Sequence, residues 1–363
     1  MNKEKLLRML KTNSVFYTLL AVVTGFAVGA ILLAFIGISP VAAYGRLFKG
    51  IFSRPKYLVW SMVYASPLIL TGLSVAFSFK TGVFNIGAEG QFVIGSMAAA
   101  IAGIFLELPP VVHAVVCALA AMLAGALWGF IVAVLKVKKG INEVLSYIMF
   151  NWIAYYLSNY LVNTKALHSE GSAEATKNIA SSASIICPDF VIALTNCKKT
   201  NWGIVIAVVA AVIIWFVISK TTLGFELRAV GFNKNAAEYG GIPSGVAVMK
   251  AMAISGALAG LGGMVQLCGM SLRISQFAGQ EGYGFEGITV ALIASAHPIG
   301  CIFSGLFYGM MKYGGTKLTL IRAPGEVVDI IMGVIVLFIA MAHVFRRLFS
   351  RKRGGKYNGW NFF

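Results

Sequence analysis

The sequence predicts an all-α, polytopic membrane protein of about ten transmembrane helices, some of them broken or re-entrant, arranged as two related five-helix halves. Three observations predict it. First, 58% of the 363 residues are hydrophobic and 12% charged, with a mean hydropathy of +0.82; a soluble domain carries about 45–50% apolar and about 25% charged residues. Second, apolar runs near the roughly 20 residues that cross a bilayer core recur along the whole chain. Third, Lys and Arg gather at the ends of those runs. The net charge of +17 is therefore the loop charge of a membrane protein. No polar segment is long enough to form a nucleic-acid-binding module.

The first apolar run, 15–38, follows Lys3, Lys5, Arg8 and Lys11. A signal peptide has an apolar core of only about 7–15 residues, so this run reads as a retained span with its N-terminus inside. In 41–54, Tyr44, Leu47, Phe48, Ile51 and Phe52 recur at helical spacing with Arg46 and Lys49 between them. This suits a short helix in the membrane interface, a plain connecting loop being the alternative. Further spans are read at 57–79, 83–106, 111–135, 141–163, 201–219, 246–270, 285–297, 299–317 and 326–345. The segments 285–297 and 299–317, separated by His297-Pro298, are too short to be two full spans; broken helices are stable in a membrane only where protein buries them or they line a cavity.

This count places eighteen of the 30 Lys and Arg inside, cleanest at 136–140 and at the two termini (tail residues Arg346, Arg347, Arg351, Lys352, Arg353 and Lys356). The bias puts both termini in the cytoplasm. Two polar stretches remain. One is an outer loop, 164–200, which is a candidate docking surface for an extracytoplasmic partner; the other is an inner loop, 220–245. Gly82 and Gly87 before one apolar run, and Gly282 and Gly287 before another, hint at related halves, although two matches also fit chance. Cys117, Cys268 and Cys301 sit in apolar runs, whereas Cys187 and Cys197 fall in the outer loop. That compartment permits a disulfide, and the sequence leaves their pairing open.

Several activities are excluded. There is no phosphate-binding Gly-x-x-x-x-Gly-Lys-Ser/Thr loop and no Gly-x-Ser-x-Gly elbow. The four histidines, His113, His168, His297 and His343, form no metal pair. Uphill movement of a solute therefore needs an ion gradient or a separate ATPase.

Two stretches carry chemistry. Gly82-Val83-Phe84-Asn85-Ile86-Gly87-Ala88-Glu89-Gly90-Gln91 sets three polar side chains among glycines at the head of an apolar run. A carboxylate in lipid costs about 2.5–3.5 kcal/mol, so Glu89 must face a cavity or a partner. The stretch reads either as a substrate or gate region at a broken helix or as a polar knot between helices. The second stretch, 221–242, mixes helix formers, charges and glycines. A short helix at Ala236–Tyr239, capped by Asn233 or Asn235, would suit docking into a groove of another protein. Glu143, beside Lys136–Lys139, reads as a cytoplasmic ion-pair partner, and Asp329 as an interfacial charge.

The order Gly231-Phe232-Asn233, Ala236-Ala237, Gly240-Gly241-Ile242 resembles the coupling loop of ABC importer permeases, in the branch that serves ribose, branched-chain amino acids and nucleosides. Phe84–Gln91 resembles the nucleoside-uptake subgroup, whose sugar relatives carry an Asp-containing sequence there. Asn142-Glu143-Val144 with Met149–Ala154 is similar to the same subgroup, with Phe-Asn-Trp in place of Leu-Asn-Tyr. Gly284–Leu292 matches a fourth block.

The resemblance implies a translocation subunit that takes up nucleosides by alternating access. It binds no cofactor, and ATP and Mg sit on a partner ATPase. The other partners are a second permease subunit, an extracytoplasmic substrate-binding protein and lipid, in a bacterial cytoplasmic membrane. It implies ATPase coupling through Glu226, Arg228, Gly231, Asn233, Ala236, Ala237 and Gly241, and a substrate path near Phe84, Asn85, Glu89, Gln91, Asn151, Phe285 and Glu286. A permease for ribose or another sugar, and an ion-coupled transporter centred on Glu89, are the competing readings.

Overall fold

The computed structural model describes residues 14–171, 174–321 and 326–351. Among them the chain is helical, with isolated bridges and no strand. The helices are α1 (Ser14–Phe35), α2 (Pro40–Phe52), α3 (Pro55–Phe79), α4 (Ala88–Phe105), α5 (Pro110–Lys139), α6 (Glu143–Val162) and α7 (Asp189–Thr195). They continue as α8 (Gly203–Lys220), α9 (Thr222–Phe232), α10 (Lys234–Tyr239), α11 (Ser244–Gln266), α12 (Tyr283–Ile293), α13 (Pro298–Gly315) and α14 (Glu326–Arg351). Each apolar segment of the sequence holds one helix. Five of them, α3, α4, α5, α8 and α11 with the π-turn that follows it, are long and apolar enough to cross a membrane. The basic residues at 3–11 and 352–356, and the side chains of Arg346, Arg347 and Arg351, lie outside the described residues.

The chain forms two compact units, 1–53 with 311–363, and 54–310. Both glycine stretches, 82–87 and 282–287, lie in the larger unit. In the smaller unit α1 packs along α14, with Gly25 and Gly29 set against the side chains of Ile335 and Ile331. The expected helix at 41–54 is α2. It buries Ala43, Leu47 and Ile51 and exposes Arg46 and Lys49. The Tyr44 hydroxyl donates to the Phe26 carbonyl at 2.6 Å and ties α2 to α1.

In the larger unit α3, α4 and α11 are central. Their most apolar stretches are 83%, 72% and 78% buried, against 28% and 33% for α5 and α8. Composition explains the order. The outward helices have the more apolar stretches, while the central ones carry the Ser, Gln and Glu that lipid would reject. Helices in lipid gain little from the hydrophobic effect on pairing, so they associate through close packing of small residues. Gly95 lies against the Gly260 backbone, Gly125 against Gly256, Gly260 against Ala121 and Gly263 against Phe92. A Cβ at any of these would overlap main-chain atoms, which cannot rotate aside.

Several boundaries differ from the sequence reading. The span expected at 83–106 is helical only from Ala88, and 83–87 is a turn. The span at 111–135 runs on to Lys139, so Lys136, Lys138 and Lys139 form a last helical turn instead of a loop. Cations favour the negative end of a helix, and Gly140, at φ +66°, stops it. The segment 285–297 shrinks to the 11 residues of α12, or about 16 Å, too short for a hydrocarbon core of about 30 Å. Ser295 and Ala296 then turn through positive φ (52° and 53°). His297 accepts from Gly300 N–H at 3.3 Å, and Pro298 opens α13 as its first residue.

The two polar stretches are also structured. The segment 164–200 holds α7 and a 3-10 turn (Ser181–Ala183), and Cys187 and Cys197 are buried free thiols. The segment 220–245 holds two helices, α9 and α10.

The glycine contacts give a direct test. Gly260→Leu should destabilise the purified protein by about 2–3 kcal/mol or more, since overpacking against backbone cannot relax. Gly45→Ala, which meets open space, should stay within about 0.5 kcal/mol. Thermal unfolding in detergent, followed by loss of the monodisperse peak, checks both.

Candidate functional site

The resembling stretches converge. The turn 83–87 and the first turn of α4 are gripped by side chains from other helices. Asn151 of α6 accepts from Gly90 N–H at 2.9 Å and donates to the Ile86 carbonyl at 3.1 Å. The Tyr147 ring, fully buried, lies where a Cβ on Gly87 would be. Gly87 and Gly90 are therefore the surface on which α6 rests, and a larger residue at either would push it away.

Inside the turn, the Asn85 side-chain amide reaches Gln91 Oε1 (2.8 Å), Ser255 Oγ (2.6 Å) and Ser74 Oγ (3.1 Å). Gln91 Nε2 returns to Asn85 Oδ1 at 3.3 Å, and Ser255 Oγ donates to the Ser74 carbonyl at 2.7 Å. Asn85 and Gln91 are 0% exposed. They form a polar knot joining α3, α4 and α11.

Glu89 reaches the other way. Its Oε1 accepts from Gly282 N–H and its Oε2 from Gly284 N–H, each at 2.7 Å. These are amides at the start of α12, where helix ends leave N–H groups unpaired and the dipole favours an anion. Glu89 is 1% exposed. Two charge-assisted hydrogen bonds at about 1.5–3 kcal/mol each offset a burial cost of several kcal/mol. Gly284 and Gly287 let α12 come this close, because a Cβ on Gly284 would overlap the Glu89 backbone and one on Gly287 would meet Thr71.

Of the expected path residues, Asn85, Glu89, Gln91 and Asn151 are thus drawn together and buried, holding backbone or one another. Phe84 is half-buried, with its ring 5.0 Å from that of Phe79. Phe285, 39% exposed, and Glu286, partly exposed, lie on the first turn of α12 beyond the Glu89 grip. Sequence reasoning missed Ser74, Ser255 and Tyr147. The two serines lie in apolar runs where hydroxyls pass as ordinary, and only their nearness in space identifies them.

The expected coupling residues form a second cluster. Thr221 caps α9, accepting from Gly224 N–H at 3.2 Å. Asn233, extended at φ −158°, caps α10 by accepting from Ala236 N–H at 3.0 Å, and the helix starts two residues earlier than Ala236. Gly241, at φ +84°, ends the unit with a left-handed turn open to glycine. Ala237 packs inward, while Ala236 is exposed and Tyr239 is 95% exposed. Phe225 and Phe232 also present rings outward, at 62% and 66%. Such aromatics on short polar helices are the signal that the sequence reading passed over. Glu226 pairs with Lys250 of α11 at 3.5 Å, Arg228 Nε donates to the Gly224 carbonyl at 3.2 Å, and Glu238 bonds to Ser244. The expected Glu143 ion pair is present, with Lys136 at 2.6 Å.

Gly231 joins the two clusters. It lies directly on the Lys80 carbonyl, against the turn at Gly82 (φ +73°). That turn leads into Asn85 and Glu89 with no intervening helix.

Glu89→Gln should lower the unfolding free energy by about 2–3 kcal/mol, because it replaces one carboxylate oxygen with an amide that faces a backbone N–H. Thermal unfolding of the purified protein checks this. A purely substrate-contacting Glu89 would leave the transition unmoved in the absence of substrate.

Comparison with known proteins fits this geometry. The family model described as "Branched-chain amino acid transport system / permease component" matches residues 57–340. The guanosine ABC transporter permease protein NupP of Bacillus subtilis is 38% identical, covering 90% of this chain and 93% of its own length. The nucleoside ABC transporter permease protein NupB of Lactococcus lactis is 34% identical, over 95% and 96%. The glucose ABC transporter permease protein TsgB13 of Haloferax volcanii is 31% identical, over 90% and 87%. With apolar helices long enough to cross a bilayer and a family match over most of its length, this chain is a multi-pass membrane protein belonging to the branched-chain amino acid transport system permease family.

Proposed function

We propose that this chain is the membrane-spanning subunit of an ATP-driven importer of nucleosides. The observation that carries this reading is near-full-length identity of 38% and 34% to permeases named for guanosine and nucleosides. A separate ATPase holds ATP and Mg, and α10 docks into it through Ala236 and Tyr239. Glu226, Arg228, Gly231, Asn233, Ala237 and Gly241 hold that helix in place. A binding protein delivers substrate to the outer segment 164–200. The membrane is the bacterial cytoplasmic membrane, with both termini inside and about ten segments entering it.

A second permease completes the path. Its being a different chain is supported by the two bacteria above, each of which has another nucleoside-named permease, NupQ or NupC, only 28% identical to this chain. Phe84, Phe285 and Glu286 lie on the face of the path, on a scaffold built by Asn85, Glu89, Gln91 and Asn151. Docking motion passes through Gly231 to the 80–87 turn and on to the start of α12. The glucose permease relative favours one second reading, a sugar importer of the same design.

Uptake of labelled guanosine into vesicles holding the complete transporter tests the proposal. Uptake should require ATP. It should fall by about tenfold or more, equivalent to at least about 1.4 kcal/mol of coupling, when Ala236→Glu places a charge at the docking surface of an assembled complex. Uptake that ignores ATP and follows a proton or sodium gradient would sink the ABC reading. Uptake of glucose in place of guanosine would establish the sugar reading.

A further inference from the structure

Helix α2 has three faces. At about 100° per residue, Ala43, Leu47 and Ile51 fall on one line, and all three are buried. Leu47 and Ile51 pack on Gly314, in the last turn of α13, and the Tyr44 bond holds the same helix to α1. Val41, Phe48 and Phe52 form a second line about 120° from the first, and they stay 84%, 45% and 60% exposed. Arg46 and Lys49 occupy the remaining sector, and both are exposed. Lys317 borders that sector, because its side-chain carbons lie against Gly50, and its Nζ stands 4.7 Å from the centre of the Tyr313 ring.

The third face is basic without compensation from its own helix. Helix α2 carries no acidic residue, and neither Arg46 nor Lys49 forms an ion pair among the described residues. The acidic side chains described in this unit, Glu326 and Asp329, belong to α14, and Lys312 is the cation beside Asp329.

Position and shape say what covers the two exposed faces. Pro40 opens α2 four residues after the 22-residue α1 ends, so α2 begins where an apolar helix stops. In water, Val41 and Phe52 would be left wet. In a dry protein interface, Arg46 and Lys49 would lose their hydration and need acidic partners. The boundary of a bilayer suits both faces at once, with acyl chains for one and headgroups for the next, at the angle the helix sets. A zwitterionic headgroup brings no net charge to two cations, whereas an anionic one does, and the Arg46 guanidinium can hold a phosphate by two parallel hydrogen bonds.

We propose that α2 is a binding site for anionic phospholipid, with acyl chains along Val41, Phe48 and Phe52 and the phosphate between Arg46 and Lys49, beside Lys317. The site is separate from both clusters described above, and the inference does not depend on the import reading.

Fluorescence quenching in nanodiscs tests it with the full-length chain. Gly45 lies between the apolar and basic lines and meets open space. The five native cysteines are buried, so Gly45→Cys takes a fluorophore selectively. Nitroxide-bearing phosphatidylglycerol and nitroxide-bearing phosphatidylcholine are then compared at equal mole fraction. The anionic lipid should be enriched at the label by at least about threefold, as expected for two basic side chains at a headgroup surface. Arg46→Gln combined with Lys49→Gln should bring the two lipids to parity and leave quenching by phosphatidylcholine unchanged. Millimolar inorganic phosphate, added at constant ionic strength, should leave the enrichment in place; its loss would assign the face to free anions and overturn the lipid site. Absence of quenching by either lipid would show that no bilayer covers α2 and overturn the inference. Equal quenching by both in the parent overturns the headgroup assignment, and enrichment that survives both substitutions overturns the assignment to Arg46 and Lys49. The readout uses neither substrate nor ATP, so the import reading stands or falls separately.

Discussion

A carboxylate buried among helices is stable only if something replaces its water, and Glu89 takes that replacement from the backbone amides of Gly282 and Gly284. Those amides are free because a helix begins there. The grip therefore needs three things at once: an abrupt start to α4 that presents Glu89, an abrupt start to α12 that presents N–H groups, and glycines that let the two starts touch. Much of the centre of the larger unit follows. The turn before α4 must be compact, which Asn85 and Gln91 achieve by bonding to each other and to Ser74 and Ser255. Asn151 then secures the same turn from α6.

The packing around this centre obeys the economics of lipid. Apolar helices gain little by leaving lipid for one another, so contact must come from shape and from polar bonds. The central helices use both. Gly95, Gly125, Gly256, Gly260 and Gly263 bring α4, α5 and α11 to backbone contact. Hydroxyl and amide side chains sit where lipid cannot reach. The outward helices α5 and α8 bury far less of their apolar stretches, although Gly125 still brings one side of α5 onto α11.

Continuity between the two clusters has a mechanical meaning. Gly231 rests on the Lys80 carbonyl without an intervening side chain, so a displacement of α9 and α10 has no soft layer in which to dissipate. The turn it presses is the one that carries Asn85 and Glu89. In the proposed importer, a push on α9 and α10 would reach the head of α12, where Phe285 and Glu286 sit, through backbone and short bonds.

Much of this was legible in the chain. Apolar length and charge placement located the helices, since lipid permits little else. The motif 82–91 announced an abrupt helix start, since Glu and Gln flanked by glycine have no place in a continuous apolar span. Asn233 announced its cap, and Glu143 its pairing with Lys136, because those partners are close in sequence. What the sequence left open was which reading of Glu89, Asn85 and Gln91 applied. Their partners at Gly282, Gly284 and Ser255 lie more than 160 residues away, and no local pattern points to them. The sequence by itself determined that the chain is helical and where its apolar helices run, because solvation and backbone sterics act locally. Only the tertiary structure decided which polar groups satisfy each other, because that depends on distances between segments that the chain does not encode in any one place.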